Sequence, residues 1–557
     1  MNRRKKRLTI IAVALAVLIV GAGTGYVVLK KLKQQRYLAM RDAGQAAFVD
    51  GDYETAIEKL RPYCGRNPTD ADTLFQLAEA RRRVEAPNGR HLVESLGLYR
   101  RFLQLRPERV DVLREVMRLH WQLGYRVEAV DAAMKLMEAM PGDPEAVLTR
   151  ARGLVALRKN TEAITLLEAA VKKAPLDAEL QLLLIRLYHD ENRKDAALPY
   201  AQGVWQAHRD DGRAELLLGA ACLMAANVPD EVLASLRTSI NGRYPDAKAG
   251  QATSEMIGRF LVMTAAQRPL DDLGFARALL DQVDRMRMPA ASLDILQRAM
   301  AKHADPDLRI LLIHRLFEAN LFKELEKQTA TLPPRAEGVE LQIIALRCIA
   351  LASLGRKDEA RPLAEALAKR TDDPLARAWA AVVRDAYLAD AADKPKLIAA
   401  IKPALEGQRR NPYLQMHLAS LYQAIGEREA AIEAYKQAIS GAPLWPLPFM
   451  RLADLLVEQR EPAQALDAAR HAASLTLSPS AMVQLASIWA STVDPAKVHQ
   501  EPELVKLVEL IQQQVPGESQ TLPLHIRILA QSGQTPKAVE AIKQALDEKQ
   551  KPAELTL

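Results

Sequence analysis

The sequence predicts an all-α protein built from repeated helical hairpins. Two distant stretches, GDYETAIEKL (residues 51–60) and GEREAAIEAYKQAI (residues 426–439), read almost alike. The chain has 557 residues, of which 49% are hydrophobic and only 5% aromatic, and it contains 31 prolines. Because this length exceeds one ordinary core, the chain should form several domains or an array of repeats. The recurrence of one amphipathic pattern favours the array.

The first 36 residues differ from the rest of the chain in charge. Nine of the 76 basic side chains lie within residues 1–36, which contain no acidic residue. The 69 acidic side chains therefore nearly balance the basic ones that remain. A near-neutral body argues against nucleic acid as a partner, although the sequence pI is about 9.1.

An apolar segment over residues 8–29 contains no charged side chain. As a helix it would span about 33 Å, close to the roughly 30 Å of a bilayer core. We therefore expect a transmembrane anchor, with a cleaved signal peptide ending near residues 21–23 as the alternative. The short basic tail before it favours a cytoplasmic N terminus and a periplasmic body. The predicted location is the inner membrane, crossed once.

Three sets of residues recur every 34 positions. They are Pro107, Pro141 and Pro175, then Ala129, Ala163 and Ala197, and finally Arg118, Arg152 and Arg186. A period of 34 residues is typical of paired helices. Small residues such as Ala56 and Ala431 allow two helices to approach closely, and large ones such as Leu60 and Tyr435 fill the adjacent space.

These patterns resemble the tetratricopeptide repeat family, in which each unit is a helix–turn–helix. The resemblance is carried by MRDAGQAAFVDGDYETAIEKLRPYCGRNP (residues 40–68) and LQMHLASLYQAIGEREAAIEAYKQAISGAP (residues 414–443). It implies a right-handed superhelical solenoid of roughly thirteen stacked hairpins, following the single N-terminal transmembrane helix. It also implies a concave groove lined by the first helix of each hairpin.

The match to the repeat pattern differs along the chain, and the sequence therefore predicts four segments. The first, residues 1–36, is the basic N terminus with its anchor. Residues 37–245 form an N-terminal repeat array, residues 246–306 an irregular helical connector, and residues 307–557 a C-terminal array. Within the connector, LGFARALLDQV (residues 273–283) still reads as a second helix.

The sequence offers no candidate active site. Its histidines form no H-E-x-x-H pair, and it contains neither a phosphate-binding loop nor a G-x-S-x-G elbow. The three isolated cysteines, Cys64, Cys222 and Cys348, form no C-x-x-C motif and should be buried thiols. We expect no enzyme activity, no metal and no cofactor.

The candidate binding residues lie on the first helices predicted to line the groove. They are Arg114, Arg118, Trp121, Arg152, Arg186 and His189. Arginines 34 residues apart would form a ladder able to grip carboxylates of an acidic peptide or an anionic glycan. Trp121 would add a stacking surface. In the alternative interpretation, these arginines pair with nearby acids such as Glu115, Glu145 and Glu179.

The predicted function is a membrane-tethered scaffold in the cell envelope. Its groove would hold peptide segments or helices of protein partners. The alternative is a component of envelope polysaccharide synthesis or export, or of envelope regulation, that binds an anionic glycan. The family's peptide-carboxylate clamp uses groove asparagines, and the matching positions here hold other residues. They are Asp42, Glu115, Thr149 and Leu183, so a clamp of that kind is not expected.

Overall fold

The structure is a computed structural model. It describes residues 30–84, 90–191, 193–225, 253–330, 339–369, 373–388, 393–407, 411–476, 478–514 and 521–550. Across these ranges the chain is helical between its turns and contains no strand. The predicted all-α hairpin architecture is therefore confirmed for the described part.

The chain divides into two compact units. Unit 1 comprises Met1–Arg193 and Arg335–Gly338, and unit 2 comprises Lys194–Pro334 and Val339–Leu557. The predicted repeat segments, residues 37–245, 246–306 and 307–557, stay predictions.

Unit 1 begins, in its described part, with helix α1 over residues 30–49. The helices that follow are α2 (Tyr53–Arg66), α3 (Ala71–Arg83), α4 (Arg90–Leu105), α5 (Val110–Gln122), α6 (Arg126–Ala139), α7 (Pro144–Ala156), α8 (Asn160–Val171) and α9 (Ala178–Asp190). From α2 onward each helix packs against the next, as expected for stacked hairpins. The lengthened turn predicted around EAPNG (residues 85–89) lies outside the described residues.

Unit 2 continues the same succession. Its first helices are α10 (Lys194–Ala207), α11 (Gly212–Met224), α12 (Ser254–Ala265), α13 (Leu273–Arg285), α14 (Pro289–Lys302), α15 (Pro306–Glu318), α16 (Phe322–Thr329), α17 (Val339–Ser353) and α18 (Lys357–Ala368). Helix α19 (Pro374–Ala381) runs into a π-helical segment, Val382–Leu388. The predicted helix at residues 273–283 is confirmed as α13.

The remaining helices of unit 2 follow in the same way. They are α20 (Lys394–Gly407), α21 (Pro412–Ile425), α22 (Arg428–Gly441), α23 (Pro446–Glu458), α24 (Pro462–Leu475), α25 (Pro479–Thr492), α26 (Pro502–Gln514), α27 (Thr521–Gln531) and α28 (Thr535–Gln550), with a 3-10 turn at Pro495–Gln500. Consecutive helices again pack against each other.

Short polar side chains begin many of these helices. In each case an oxygen of the residue before the helix accepts a hydrogen bond from a backbone N–H of the first turn, which would otherwise lack a partner. Residues in this role include Asp52, Asp70, Asp143, Asp177, Asp272, Asp305, Asp373, Asn411 and Ser478. Proline often follows at the first helical position, where its fixed φ suits the helix.

The small and large positions of the repeat pack as the sequence predicts. Ala56, Leu60, Ala431 and Tyr435 are all fully buried. A Cβ added at Gly44 would lie 2.5 Å from the Leu60 Cδ2 atom, so α1 and α2 approach closely only because position 44 has no side chain. The alternation of small and large residues thus sets the distance between the helices of a hairpin.

The three cysteines are free and buried, as predicted. Burial raises the pKa of the Cys64 thiol to about 11 and the pKa values of Cys222 and Cys348 to about 12. Since the thiolate is the reactive form, these side chains act as small apolar core residues at neutral pH.

One prediction about location needs correction. None of the helices in the described ranges combines the length and the apolar composition that crossing a membrane requires. This finding stands against the predicted single-pass location in the inner membrane, with a cytoplasmic N terminus and a periplasmic body. The segment on which that prediction depended, residues 8–29, lies outside the described residues.

Candidate functional site

The six predicted binding residues all lie on first helices of unit 1. Arg114, Arg118 and Trp121 belong to α5, Arg152 to α7, and Arg186 and His189 to α9. We call these six residues the first-helix surface. The 34-residue spacing of Arg118, Arg152 and Arg186 therefore places them on three successive first helices.

Two of the ladder arginines are paired with acids of the following first helix. The Arg118 Nε and Nη2 atoms donate to the two carboxylate oxygens of Glu145, at 2.7 and 2.8 Å. The Arg152 Nη2 atom lies 3.6 Å from Glu179 Oε2. Both arginines therefore have the acidic partners that the alternative interpretation named. The bond to Glu145 also raises the pKa of Arg118 above its usual value.

Arg114 has a structural contact that the sequence analysis missed. Its Nη2 atom donates to the Asp143 Oδ2 atom at 2.5 Å. The Asp143 side chain is only 5% exposed, and its Oδ1 atom accepts the backbone N–H of Ala146 at 3.0 Å. One carboxylate thus begins α7 and ties it to α5. The Asp143-Pro144 pair is the signal that could have identified this residue, because it marks a helix start.

Trp121 forms an arginine–aromatic cluster at the surface. The Arg126 guanidinium carbon lies 3.9 Å from the centre of the indole ring, and that of Arg152 lies 6.0 Å from it. Arg126 also donates to the Trp121 backbone carbonyl at 3.1 Å. Both guanidinium groups lie within the range of cation–π attraction. The sequence pattern named Trp121 and Arg152 but not Arg126, which belongs to a second helix.

The residues on α9 are less closely tied to this cluster. The His189 Nδ1 atom lies 3.6 Å from the Asp190 Oδ1 atom, and the histidine side chain is 40% exposed. Arg186 also has an interaction partner. Within the described ranges, no group of His, Cys, Asp or Glu residues has the arrangement needed to hold a metal ion.

The stacked hairpins define the described part of the chain as an α-helical repeat structure. Residues 148–207 match the sequence model of the tetratricopeptide repeat family. The match includes Arg152, Arg186 and His189 of the first-helix surface. The resemblance inferred from the sequence is confirmed.

Solved structures of helical repeat proteins are also similar to this chain. MamA is 21% identical, with 28% of this chain and 90% of MamA covered and a TM-score of 0.26. Yeast Tom70 is 13% identical, with coverages of 92% and 99% and a TM-score of 0.31. The hetero-tetramer Cut9–Hcn1 of the APC/C is 12% identical, with coverages of 93% and 98% and a TM-score of 0.31. At these scores the likenesses support no argument about function. No match was found among curated proteins.

Proposed function

We propose that this protein is a scaffold that binds segments of protein partners on the first-helix surface of unit 1. The observation that carries the proposal is the cluster of Trp121 with Arg126 and Arg152. Tryptophan and arginine are the residue types most enriched at the energetic centres of protein interfaces. The match of residues 148–207, which include Arg152, to the tetratricopeptide repeat family supports the proposal.

The paired arginines are compatible with such binding. The side chains of Arg118 and Glu145 are 53% and 38% exposed, so their ion pair is largely solvated. Exposed pairs contribute about 0–1 kcal/mol. A partner carboxylate could therefore take the place of Glu145 at little cost. The displaced acid would remain available for a basic group of the same partner, which suits a segment carrying both charges.

An anionic polysaccharide fits this surface less well. Such a ligand presents one sign of charge repeatedly, and Glu145 and Glu179 lie beside Arg118 and Arg152. Each sugar acid would face a carboxylate as well as a guanidinium. No observation on the described residues favours the glycan alternative.

Site-specific crosslinking in cells tests the proposal. The photo-crosslinker p-benzoylphenylalanine is placed at Arg118 in the full chain, and separately at Lys135, an exposed residue of the second helix α6. We expect discrete crosslinked protein products from position 118. None of these products should also form from position 135. Products that are the same at both positions would count against a specific surface.

A matched pair of variants then tests the cluster itself. Trp121→Ala should abolish the products at position 118, because it removes the ring on which both guanidinium groups lie. Lys135→Gln should leave them unchanged. Loss of the products in both variants, or in neither, would contradict the assignment of the surface.

A further inference from the structure

Three arginines of unit 1 converge on a single carboxylate. The Glu94 Oε2 atom accepts from the Arg61 Nη2 atom at 3.0 Å and from the Arg81 Nε atom at 2.7 Å. The Glu94 Oε1 atom accepts from the Arg90 Nε atom at 2.7 Å. The three arginines belong to α2, α3 and α4, so the packing of successive helices brings them together. We call these four residues the Glu94 cluster.

The Glu94 cluster has an excess of two positive charges. Each guanidinium group stays protonated at neutral pH, so the arginines contribute three positive charges. Although burial opposes the ionisation of Glu94, hydrogen bonds from Arg81 and Arg90 hold the pKa of its carboxyl below the ordinary value. At neutral pH this carboxylate therefore cancels only one of the three positive charges. Like charges held this close repel each other, and a second anion would relieve that repulsion.

Two of these guanidinium groups have hydrogen-bond donors that Glu94 does not use. Arg61 bonds to it through Nη2 alone and Arg90 through Nε alone, and neither has another partner among the described residues. Their side chains are 60% and 73% exposed, so the remaining N–H groups are accessible to a ligand. Arg81 is only 10% exposed and also donates through Nη1 to the Val84 carbonyl at 3.2 Å. The cluster thus joins one fixed arginine to two accessible ones.

The cluster differs from the first-helix surface in its balance of charge. On that surface Arg118 alone lies beside two acids, Glu115 and Glu145. In the cluster three arginines share Glu94, the only acid within the described ranges that pairs with them. A phosphate monoester has three acceptor oxygens and carries a charge of about −1.5 to −2 at neutral pH. Its charge therefore matches the excess, and guanidinium groups bind such oxygens in pairs.

We propose that the Glu94 cluster binds a phosphate monoester dianion, through the nitrogens of Arg61 and Arg90 that Glu94 does not use. Glu94 holds the guanidinium groups together, and Arg81 adds a fixed positive charge. This chemistry has two sources, a free phosphate group and a phosphorylated side chain of a protein segment. The cluster shares no residue with the first-helix surface, so the site does not depend on the function proposed there.

Calorimetric titration of the full chain at low ionic strength tests this chemistry. The probes are inorganic phosphate and three acetylated and amidated peptides, Gly-phosphoserine-Gly, Gly-Ser-Gly and Glu-Gly-Glu. We expect the phosphoserine peptide to bind at least about tenfold more tightly than the serine and glutamate peptides. Inorganic phosphate binding as tightly as that peptide supports the site and assigns it to a free phosphate group, whereas weaker binding assigns it to a protein segment. Equal binding of the three peptides, or a glutamate peptide as tight as the phosphoserine peptide, overturns the proposal.

Two variants locate the binding in the cluster. Arg61→Gln and Arg90→Gln each remove one positive charge at an exposed side chain, and each should weaken binding of the best phosphate probe about tenfold. Arg66→Gln, at an exposed position of α2 outside the cluster, makes the same charge change and should leave binding unchanged. A loss in either cluster variant, with Arg66→Gln unaffected, supports the assignment. Unchanged binding in both cluster variants, or an equal loss in Arg66→Gln, overturns it.

Discussion

The first-helix surface of unit 1 and the buried ion pairs of Arg315 in unit 2 use arginine in opposite ways. Arg118 is 53% exposed and pairs with one main acid on the following first helix. Arg315 is 10% exposed and is shared by Glu318 and Asp284. The first arrangement repeats with the period of the sequence, since Arg152 has a similar partner, whereas the second occurs where that period drifts. The same side chain therefore forms an exchangeable contact in one unit and a fixed one in the other.

This difference follows from solvation. Water stabilises both partners of an exposed ion pair whether or not they meet, so the pair adds little to stability. Buried charges have lost that hydration, and removing one of them leaves the other uncompensated. A surface of the first kind can exchange partners readily. A network of the second kind keeps its geometry.

The largest expected effect comes from breaking the buried network. Arg315→Ala should lower the free energy of unfolding of unit 2 by about 3–5 kcal/mol, because two carboxylates lose their counter-ion. Urea unfolding of the full chain, followed by tryptophan fluorescence, measures the change. A loss below about 1 kcal/mol would show that this network is no more consequential than the exposed ladder.

The second largest loss of stability is expected from a substitution in the packing of a hairpin, the part of the fold that the sequence patterns predict best. Ala163→Leu should cost about 1–3 kcal/mol, because position 163 is fully buried between helices and has no room for the added carbons. Thr165→Leu, on the exposed side of α8, should change stability little. Equal urea midpoints for the two variants would mean that the small positions do not set the helix distance.

A smaller effect should appear with pH. Burial lowers the pKa of His417 to about 4, and its ring lies 6.5 Å from that of Trp379 and 5.7 Å from that of Tyr387. Below about pH 6.5 the unfolded chain binds a proton that the folded chain binds only near pH 4. Because of this histidine, the free energy of unfolding should therefore fall by about 1 kcal/mol per pH unit as the pH drops from 6 to 4.5.

Two variants isolate this contribution. His417→Phe keeps an aromatic ring and removes the titration, so the urea midpoint should depend less steeply on pH over that interval. His499→Gln, at an exposed position of the 3-10 turn, should keep the slope of the unchanged protein. A His417→Phe slope equal to that of the unchanged protein would exclude this histidine as the cause.

The smallest effect is expected from the exposed ladder. Arg118→Gln should lower the free energy of unfolding of unit 1 by less than about 1 kcal/mol, because its pair with Glu145 is solvated. A loss as large as that for Arg315→Ala would contradict the contrast between the two units.

The sequence predicted the parts of the molecule that repeat. Ala129 and Ala163 are buried on α6 and α8, and Arg118 and Arg152 lie on α5 and α7, because a 34-residue period places equivalent residues in equivalent surroundings. The pairing of these arginines with Glu145 and Glu179 was one of two interpretations. Seeing that pairing required side-chain geometry, which periodicity does not contain.

The long-range contacts of Gln342 in unit 2 could not be predicted in this way. Gln342 contacts a residue 28 positions before it and another 69 positions after it. These contacts join first helices that are not all neighbours in the chain, so no local pattern marks them. The π-helical segment Val382–Leu388 likewise lacks a signal, since VVRDAYL contains neither glycine nor proline. Such features depend on how several hairpins pack together.

Asp143 affects how neighbouring hairpins unfold. Its carboxylate begins α7 and accepts from Arg114 of the preceding hairpin, and Asp305 does the same for α15 and Arg277 in unit 2. Unravelling of either hairpin therefore breaks a contact of the carboxylate that begins the later one. Under a pulling force, we expect these neighbouring hairpins to give way together, in extension steps twice as long as one hairpin would produce.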